Sequence, residues 1–328
     1  MLRVLSYDVR SEDSDRKEHK MKAIIFNEFG SSSVLHEGEV PTPVAAKGEI
    51  LIRVSHTSVN PVDWKIREGF LKTMFPHIFP ISPGWDAAGV VESVGEGVTS
   101  FKRGDEVYAY ARLPEVHSGT YAQFIALPEA AVSLKPKTLS SATSAGVPMV
   151  ALTAYQVVHN VAKVAQGEQV LITGGAGGVG SYAIQLSNLL GGIVTSTTST
   201  KNREYVSELG AKCIVDYTEA SATSALQGAA PDGYDVIIDT VGGEALTEAV
   251  AFIKPGGRVV SVVDTPKGGT FHFVYASGQE LTAIATLFDA GSLRAPETTV
   301  RSIREAAAAQ DENRTRRIRG KVVLAVDL

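Results

Sequence analysis

Gly175, Gly177 and Gly180 follow the apolar run Gln169-Val-Leu-Ile-Thr173 and precede Ser181-Tyr-Ala-Ile-Gln-Leu186. This order reads as a buried strand, a glycine turn and the opening of a helix. The spacing is that of a loop that cradles a dinucleotide pyrophosphate. The first glycine permits the tight turn, the second lets the backbone approach the phosphates, and the third lets helix and strand pack closely. Free N–H groups of Gly178, Val179 and Gly180 at the helix start would then meet the negative charge. No Gly-Lys-Ser/Thr follows, so a P-loop is excluded. The alternative is a glycine turn with no ligand.

The next strand tells which dinucleotide. It ends Thr195-Ser-Thr-Thr-Ser-Thr200, with Thr197 where an acidic residue would hold the ribose 2′-hydroxyl of NAD. Hydroxyls, Ser199 among them, and the cations Lys201 and Arg203 stand there instead. Their charge suits a 2′-phosphate, so NADPH is the expected cofactor. The competing reading makes Lys201 and Arg203 solvated first-turn residues. Farther on, Asp239-Thr-Val-Gly-Gly243 closes another apolar strand, and its backbone, including Val241, is expected to line the nicotinamide-ribose side.

These residues need a scaffold, and the chain has the length for one. Its 328 residues are 44% hydrophobic and 20% charged, ordinary for a globular chain of two domains. The net charge of −5 argues against nucleic acid or an anionic membrane as the main partner. No apolar run spans a bilayer, and the first residues lack a signal-peptide core. The one cysteine, Cys213, precludes a disulfide within the chain and fits a reducing, cytoplasmic location. The mixed-charge residues 1–20 read as a mobile tail.

Short strands and turns follow, from Met21 to about Lys135, suggesting a partly open β-barrel-like domain. After Pro148 the rhythm changes. Helical Met149–Ala162 leads to strands at Val170–Thr173, Ile193–Thr197, Ile214–Val215, Val236–Asp239, Val259–Val262 and Phe271–Val274, with helices between. Continuous apolar strands alternating with helices imply an α/β fold with a doubly wound parallel sheet. Helices are expected at Glu280–Asp289 and near Val300–Ala309. The closing strand Lys321–Val326 is expected to return to the first domain. The division is therefore 21–146 with 277–328 for the β-rich domain and 147–276 for the Rossmann domain.

This layout resembles the medium-chain dehydrogenase/reductase superfamily. The segments that carry the likeness are Asn60-Pro-Val-Asp-Trp-Lys65, Pro83-Gly-Trp-Asp-Ala-Ala-Gly89, Val94-Gly-Glu-Gly97, Gly104-Asp-Glu-Val107, Gly119-Thr-Tyr-Ala122, Gly174–Gly180, Asp239-Thr-Val-Gly-Gly243 and Gly320-Lys-Val-Val323. Within it, the chain looks most like the zinc-free quinone oxidoreductase and enone reductase branch. The resemblance implies a GroES-like catalytic domain, a homodimer, and NADPH-dependent reduction of quinones or of double bonds conjugated to a carbonyl.

It also implies site residues. Where zinc-dependent relatives place metal ligands, this chain has Asn60, Trp85 and Met149, a poor zinc set, so no metal is expected. Asn60 becomes a candidate donor to the nicotinamide ribose or substrate oxygen. Lys65 becomes the donor to an enolate, with Asp63 fixing its position. The bland reading of the same residues is a turn initiator and helix caps. Tyr110 is either a second proton donor or a packing aromatic, and Tyr217 matches a family tyrosine near the adenosine. Pocket walls are expected from Phe70–Phe79, Tyr110–Ser118 and Gly268–Phe273. Two alternatives stay open: an enoyl-thioester reductase, and an NADPH-binding protein without turnover.

Overall fold

A computed structural model describes residues 19–315 and 319–328. The expected tail at 1–20 lies outside the described residues as far as residue 18, and Lys20 already belongs to a strand. That strand, β1 (Lys20–Ile25), forms an antiparallel ribbon with β2 (His36–Pro41). The chain continues through β3 (Glu49–Ser58), helix α1 (Pro61–Arg67), β4 (Asp86–Val94), β5 (Glu106–Tyr110), β6 (Phe124–Pro128) and β7 (Val132–Leu134). Helices α2 (Ser141–Ala145) and α3 (Pro148–Tyr155) lead to the second half, and α3 runs into a π-helical stretch, Gln156–Val161.

There β8 (Gln169–Ile172), α4 (Gly178–Leu189), β9 (Ile193–Thr198), α5 (Arg203–Glu208), β10 (Cys213–Asp216), α6 (Ala222–Ala229), β11 (Tyr234–Asp239), α7 (Gly243–Val250), β12 (Ile253–Ser261) and β13 (Thr270–Phe271) alternate as expected. All pair in parallel, in the order β10-β9-β8-β11-β12-β13. The chain starts in the middle, winds outward one way, then returns to wind the other. The crevice between the ends of β8 and β11 is therefore the switch point where open α/β sheets take ligands. Val170, Leu171, Ile172, Val236, Ile237 and Ile238 are fully buried, because helices cover both faces of the sheet.

After α8 (Gly278–Asp289) the structure departs from the expected helix near Val300–Ala309. Thr298–Ser302 is a strand, β14, and the helix α9 starts later, at Ala306–Arg314. The β-branched run Thr298-Thr-Val pairs in parallel with β15 (Lys321–Ala325), and that partner overrides local helix preference. β15 itself pairs antiparallel with β3, so the last strand does close the first sheet, whose order is β14-β15-β3-β4-β5-β7 with β6 also on β3. The strand expected at Phe271–Val274 extends no farther than Phe271. One core cluster crosses both halves, joining Trp85, Tyr108 and Tyr110 to Val150, Ile172, Tyr182 and Leu281.

Candidate active site

The glycine turn does two jobs at different positions. A side chain at Gly175 would meet Ser196 Oγ at 2.1 Å, and one at Gly180 would meet the Gly174 carbonyl at 2.3 Å. These glycines let α4 lie against β8 and β9. A Cβ at Gly177 would meet only the Gly174 oxygen at 3.3 Å. Its open side faces the start of α4, which begins at Gly178. The first-turn amides of Gly178, Val179 and Gly180 have no partner within the helix by its geometry. A tight turn with an open face and free amides fits a pyrophosphate.

Thr197 holds the turn in place. Its hydroxyl accepts from Gly174 N at 3.1 Å and its carbonyl from Gly175 N at 3.0 Å. Ser199 caps the following turn, and exposed Lys201 stands on it. Arg203 instead spends its guanidinium on the Ile214 carbonyl, 3.1 Å away. Tyr217 is 63% exposed beside this end of the sheet. The neighbouring strand adds a carboxylate that sequence reasoning overlooked. Asp216 accepts from the Thr200 hydroxyl and from Thr218 N and Oγ1 at 2.8 and 2.7 Å. Those bonds, led by Thr200, hold its carboxyl down to about 2.

At the end of β11, buried Asp239 gathers three strands. It accepts from Thr173 Oγ1 at 2.6 Å and Ser261 Oγ at 2.7 Å, and from the amides of Val241 and Gly242. The carboxylate thereby shapes the turn that presents Val241 to solvent.

Asn60 and Pro61 start α1 as N-cap and first helical residue, a favoured pair because proline lacks the N–H that would be orphaned there. Asp63 reaches back and accepts from Asn60 N at 2.7 Å. The Asn60 side chain turns away from its own helix. Its Oδ1 accepts from Lys321 Nζ at 2.6 Å, and its Nδ2 donates to Asp86 at 2.7 Å. Asp86 also accepts from Ser58 Oγ at 2.6 Å and Met149 N at 2.7 Å, and Lys321 also donates to the Val59 carbonyl at 3.1 Å. Asn60, Asp63 and Asp86 are all 0% exposed. Burial raises the Asp86 carboxyl and lowers the Lys321 ammonium. It pushes Asp63 up to about 7, against the pull of its bond to Asn60.

Both ends of the Asn60 amide are taken inside the protein, by Lys321 and Asp86. Asp63 and Lys65, two apart on the helix, point in nearly opposite directions, and Asp63 fixes the N-cap. Lys65, on the other face of α1, is half-buried and lies 5.8 Å from the Trp64 ring centroid. It lines an open cleft of about 510 Å³ with Val241–Ala245, Val263 and Asp264. The fold thus joins Lys65 to the β11 turn across the two halves of the chain.

Lys321 and Asp86 were missed as site residues. Their only sequence signal was membership of the Gly320-Lys-Val-Val and Pro83-Gly-Trp-Asp segments, and a charge within an apolar strand. Among the described residues, no three His, Cys, Asp or Glu side chains gather as a metal-binding set, and no helix is long and apolar enough to cross a membrane.

Comparison with known proteins agrees with this geometry. A family model described as an alcohol dehydrogenase GroES-like domain matches residues 46–137, and one described as a zinc-binding dehydrogenase matches residues 209–324. The chain is 35% identical over 297 residues to a protein of Arabidopsis thaliana named NADPH-dependent alkenal/one oxidoreductase, chloroplastic, covering 88% of this chain and 74% of that one. It is 32% identical over 326 residues to a human protein named NAD(P)H oxidoreductase RTN4IP1, mitochondrial, covering 84% and 81%. The structure of the quinone oxidoreductase from Coxiella burnetii matches with a TM-score of 0.85 at 32% identity, covering 94% of this chain and all of that one. With the switch-point sheet, the glycine cradle and the GroES-like half in place, the chain belongs to the medium-chain dehydrogenase/reductase superfamily and is an NAD(P)H-dependent oxidoreductase.

Proposed function

We propose that this protein reduces the carbon–carbon double bond of α,β-unsaturated carbonyl compounds, or quinones, with NADPH and without zinc. The observation that carries this reading is Lys65, a cation on a rigid helix in the cleft shared with the Val241 turn. When bound, NADPH supplies the hydride. The Gly178–Gly180 amides hold its pyrophosphate, Lys201 pairs with its 2′-phosphate, and the Val241 turn supports the nicotinamide ribose. Hydride addition to the β carbon of an enone moves charge onto the carbonyl oxygen, and Lys65 donates to that oxygen as it becomes an enolate. Asn60, Asp63, Asp86 and Lys321 keep α1, and so Lys65, in position.

The metal-free part rests on residue chemistry. By the family resemblance, Asn60, Trp85 and Met149 stand where zinc-dependent relatives keep ligands. Asn60 is saturated by Asp86 and Lys321, and Trp85 is packed against Tyr110. A conjugate acceptor needs less polarisation than an isolated ketone, because the developing charge spreads over the enolate. Names of similar proteins, alkenal/one oxidoreductase and quinone oxidoreductase, support the same substrate class. The chain is also proposed to form a homodimer, which light scattering tests. The lone cysteine supports a reducing location, the cytoplasm, although the similar proteins include chloroplastic and mitochondrial ones. The test of function is NADPH oxidation with a short enone in the presence of a chelator, with products read by mass spectrometry. The saturated ketone is expected, and an allylic alcohol as main product would overturn the assignment.

A further inference from the structure

An aromatic box stands next to the buried network. Trp85, adjacent in sequence to Asp86, packs edge-on to Phe75 at 6.0 Å and to Tyr110 at 6.1 Å between ring centroids. Phe273, contributed by the Rossmann half, lies 5.6 Å from Phe75 and 6.5 Å from Trp85. Trp85 and Tyr110 form a buried floor, while Phe75 and Phe273 are partly exposed at the mouth. All three segments from which the sequence predicted a pocket wall meet in this box.

Two hydrogen-bond donors in it have no acceptor. The Tyr110 hydroxyl is buried without a partner, and so is Arg112 Nε. The Arg112 guanidinium lies over Phe75 at 4.6 Å and over Phe273 at 5.3 Å. Among the described residues it makes neither a hydrogen bond nor an ion pair. Tyr110 ends β5, and Arg112 lies two residues beyond it. Buried donors are normally satisfied, so a pair without acceptors points to an acceptor brought by a ligand. A guanidinium offers parallel N–H groups that match a carboxylate, and one such group balances one negative charge. The flanking rings offer faces to a flat conjugated skeleton.

We propose that Arg112 and Tyr110 form the recognition end of the substrate pocket, selecting substrates that carry a carboxylate on a flat conjugated skeleton. This rests on the enone-reductase reading and names the substrate class within it. Burial raises the Tyr110 hydroxyl, the Arg112 charge pulls it down, and the Asp86 and Asp63 carboxylates push it up. Arg112 therefore also offsets the negative potential that these carboxylates would present to an anionic ligand.

The test compares 4-carboxybenzylideneacetone with its methyl ester in the wild type, Arg112→Gln and Arg112→Lys, after NADPH titration has shown each variant to be folded. Arg112→Gln should lose at least tenfold more kcat/KM for the carboxylate than for the ester, mostly in KM, and Arg112→Lys should recover part of the difference. Equal losses for the two compounds, or none, would overturn the proposal. If neither compound turns over, the reductase reading fails and calorimetry decides this one. Binding of 4-carboxybenzylideneacetone to the NADP⁺-bound protein should still weaken at least tenfold in Arg112→Gln, and unchanged affinity or absence of binding in the wild type would refute it.

Discussion

Lys321 Nζ lies 2.6 Å from Asn60 Oδ1, across 261 residues of chain. This bond fastens the last strand to the N-cap of the helix that carries Lys65, with Asp86 bonded to the other end of the same amide. Truncating Lys321 would leave the buried Asp86 carboxylate, 3.9 Å away, without its counter-charge, and Asn60 Oδ1 and the Val59 carbonyl without their donor. Lys321→Met should therefore destabilise the protein by about 3–5 kcal/mol. The double variant Lys321→Met/Asp86→Asn should recover part of that loss, because it removes the stranded charge. Urea unfolding of the two variants and the wild type checks this, and a loss below about 1 kcal/mol for Lys321→Met would show that the network contributes little.

The two classes of glycine in the turn should behave differently. Gly177→Val makes one tight Cβ contact, 3.3 Å from the Gly174 oxygen, and sets side-chain atoms on the open face where phosphates must approach. It should fold with a smaller drop in melting temperature than Gly180→Val and lose NADPH binding. Gly180→Val forces a Cβ onto the Gly174 carbonyl and should lower stability itself. Thermal melts beside fluorescence titration separate the two, and normal NADPH affinity in Gly177→Val would reduce the loop to a turn.

Lys201 is exposed on the turn after β9, where the 2′-phosphate is proposed to bind, and a charge-assisted bond to phosphate contributes roughly 1.5–3 kcal/mol. Lys201→Ala should then weaken NADPH by about tenfold or more while leaving NADH nearly unchanged. Equal losses for both cofactors would remove Lys201 from 2′-phosphate recognition.

Removing a donor to a developing oxyanion costs roughly a hundred- to a thousandfold in turnover in other enzymes. Lys65→Met should fall in that range for enone reduction, with a much smaller change in NADPH affinity. A variant that turns over normally would exclude Lys65 from the reacting centre and leave the reaction class standing.

Asp63 gives stability a pH dependence whose sign follows from its burial. Its carboxyl is pushed up to about 7 in the folded protein, from the usual value of 3.8. Between those values the folded state keeps a proton that the unfolded state has released, so stability falls as pH rises through that window. By linkage the loss is at most on the order of 4 kcal/mol. Asp63→Asn keeps an acceptor for the Asn60 N–H and removes the titration. The variant should gain on the wild type between pH 5 and pH 8. Parallel melting curves over that range would contradict the assignment.

What the sequence determined by itself was everything that depends on neighbours along the chain. Gly175, Gly177 and Gly180 were legible because a strand–turn–helix is local, and alternating apolar runs announced the parallel sheet because burial on both faces leaves a local imprint. The closing strand was legible by subtraction, since the doubly wound sheet had no place for it. Tertiary structure decided the rest. Thr298–Ser302 became a strand because β15 lay beside it, a partner no local propensity reveals. Asn60 looked available for substrate because its spacing said nothing of Lys321 or Asp86, which reach it from distant segments. Asp216 and the donor of Arg112 escaped notice for the same reason. A side chain's chemistry is set by what it bonds and by how far it is removed from water, and folding assembles both from residues that lie far apart in the sequence.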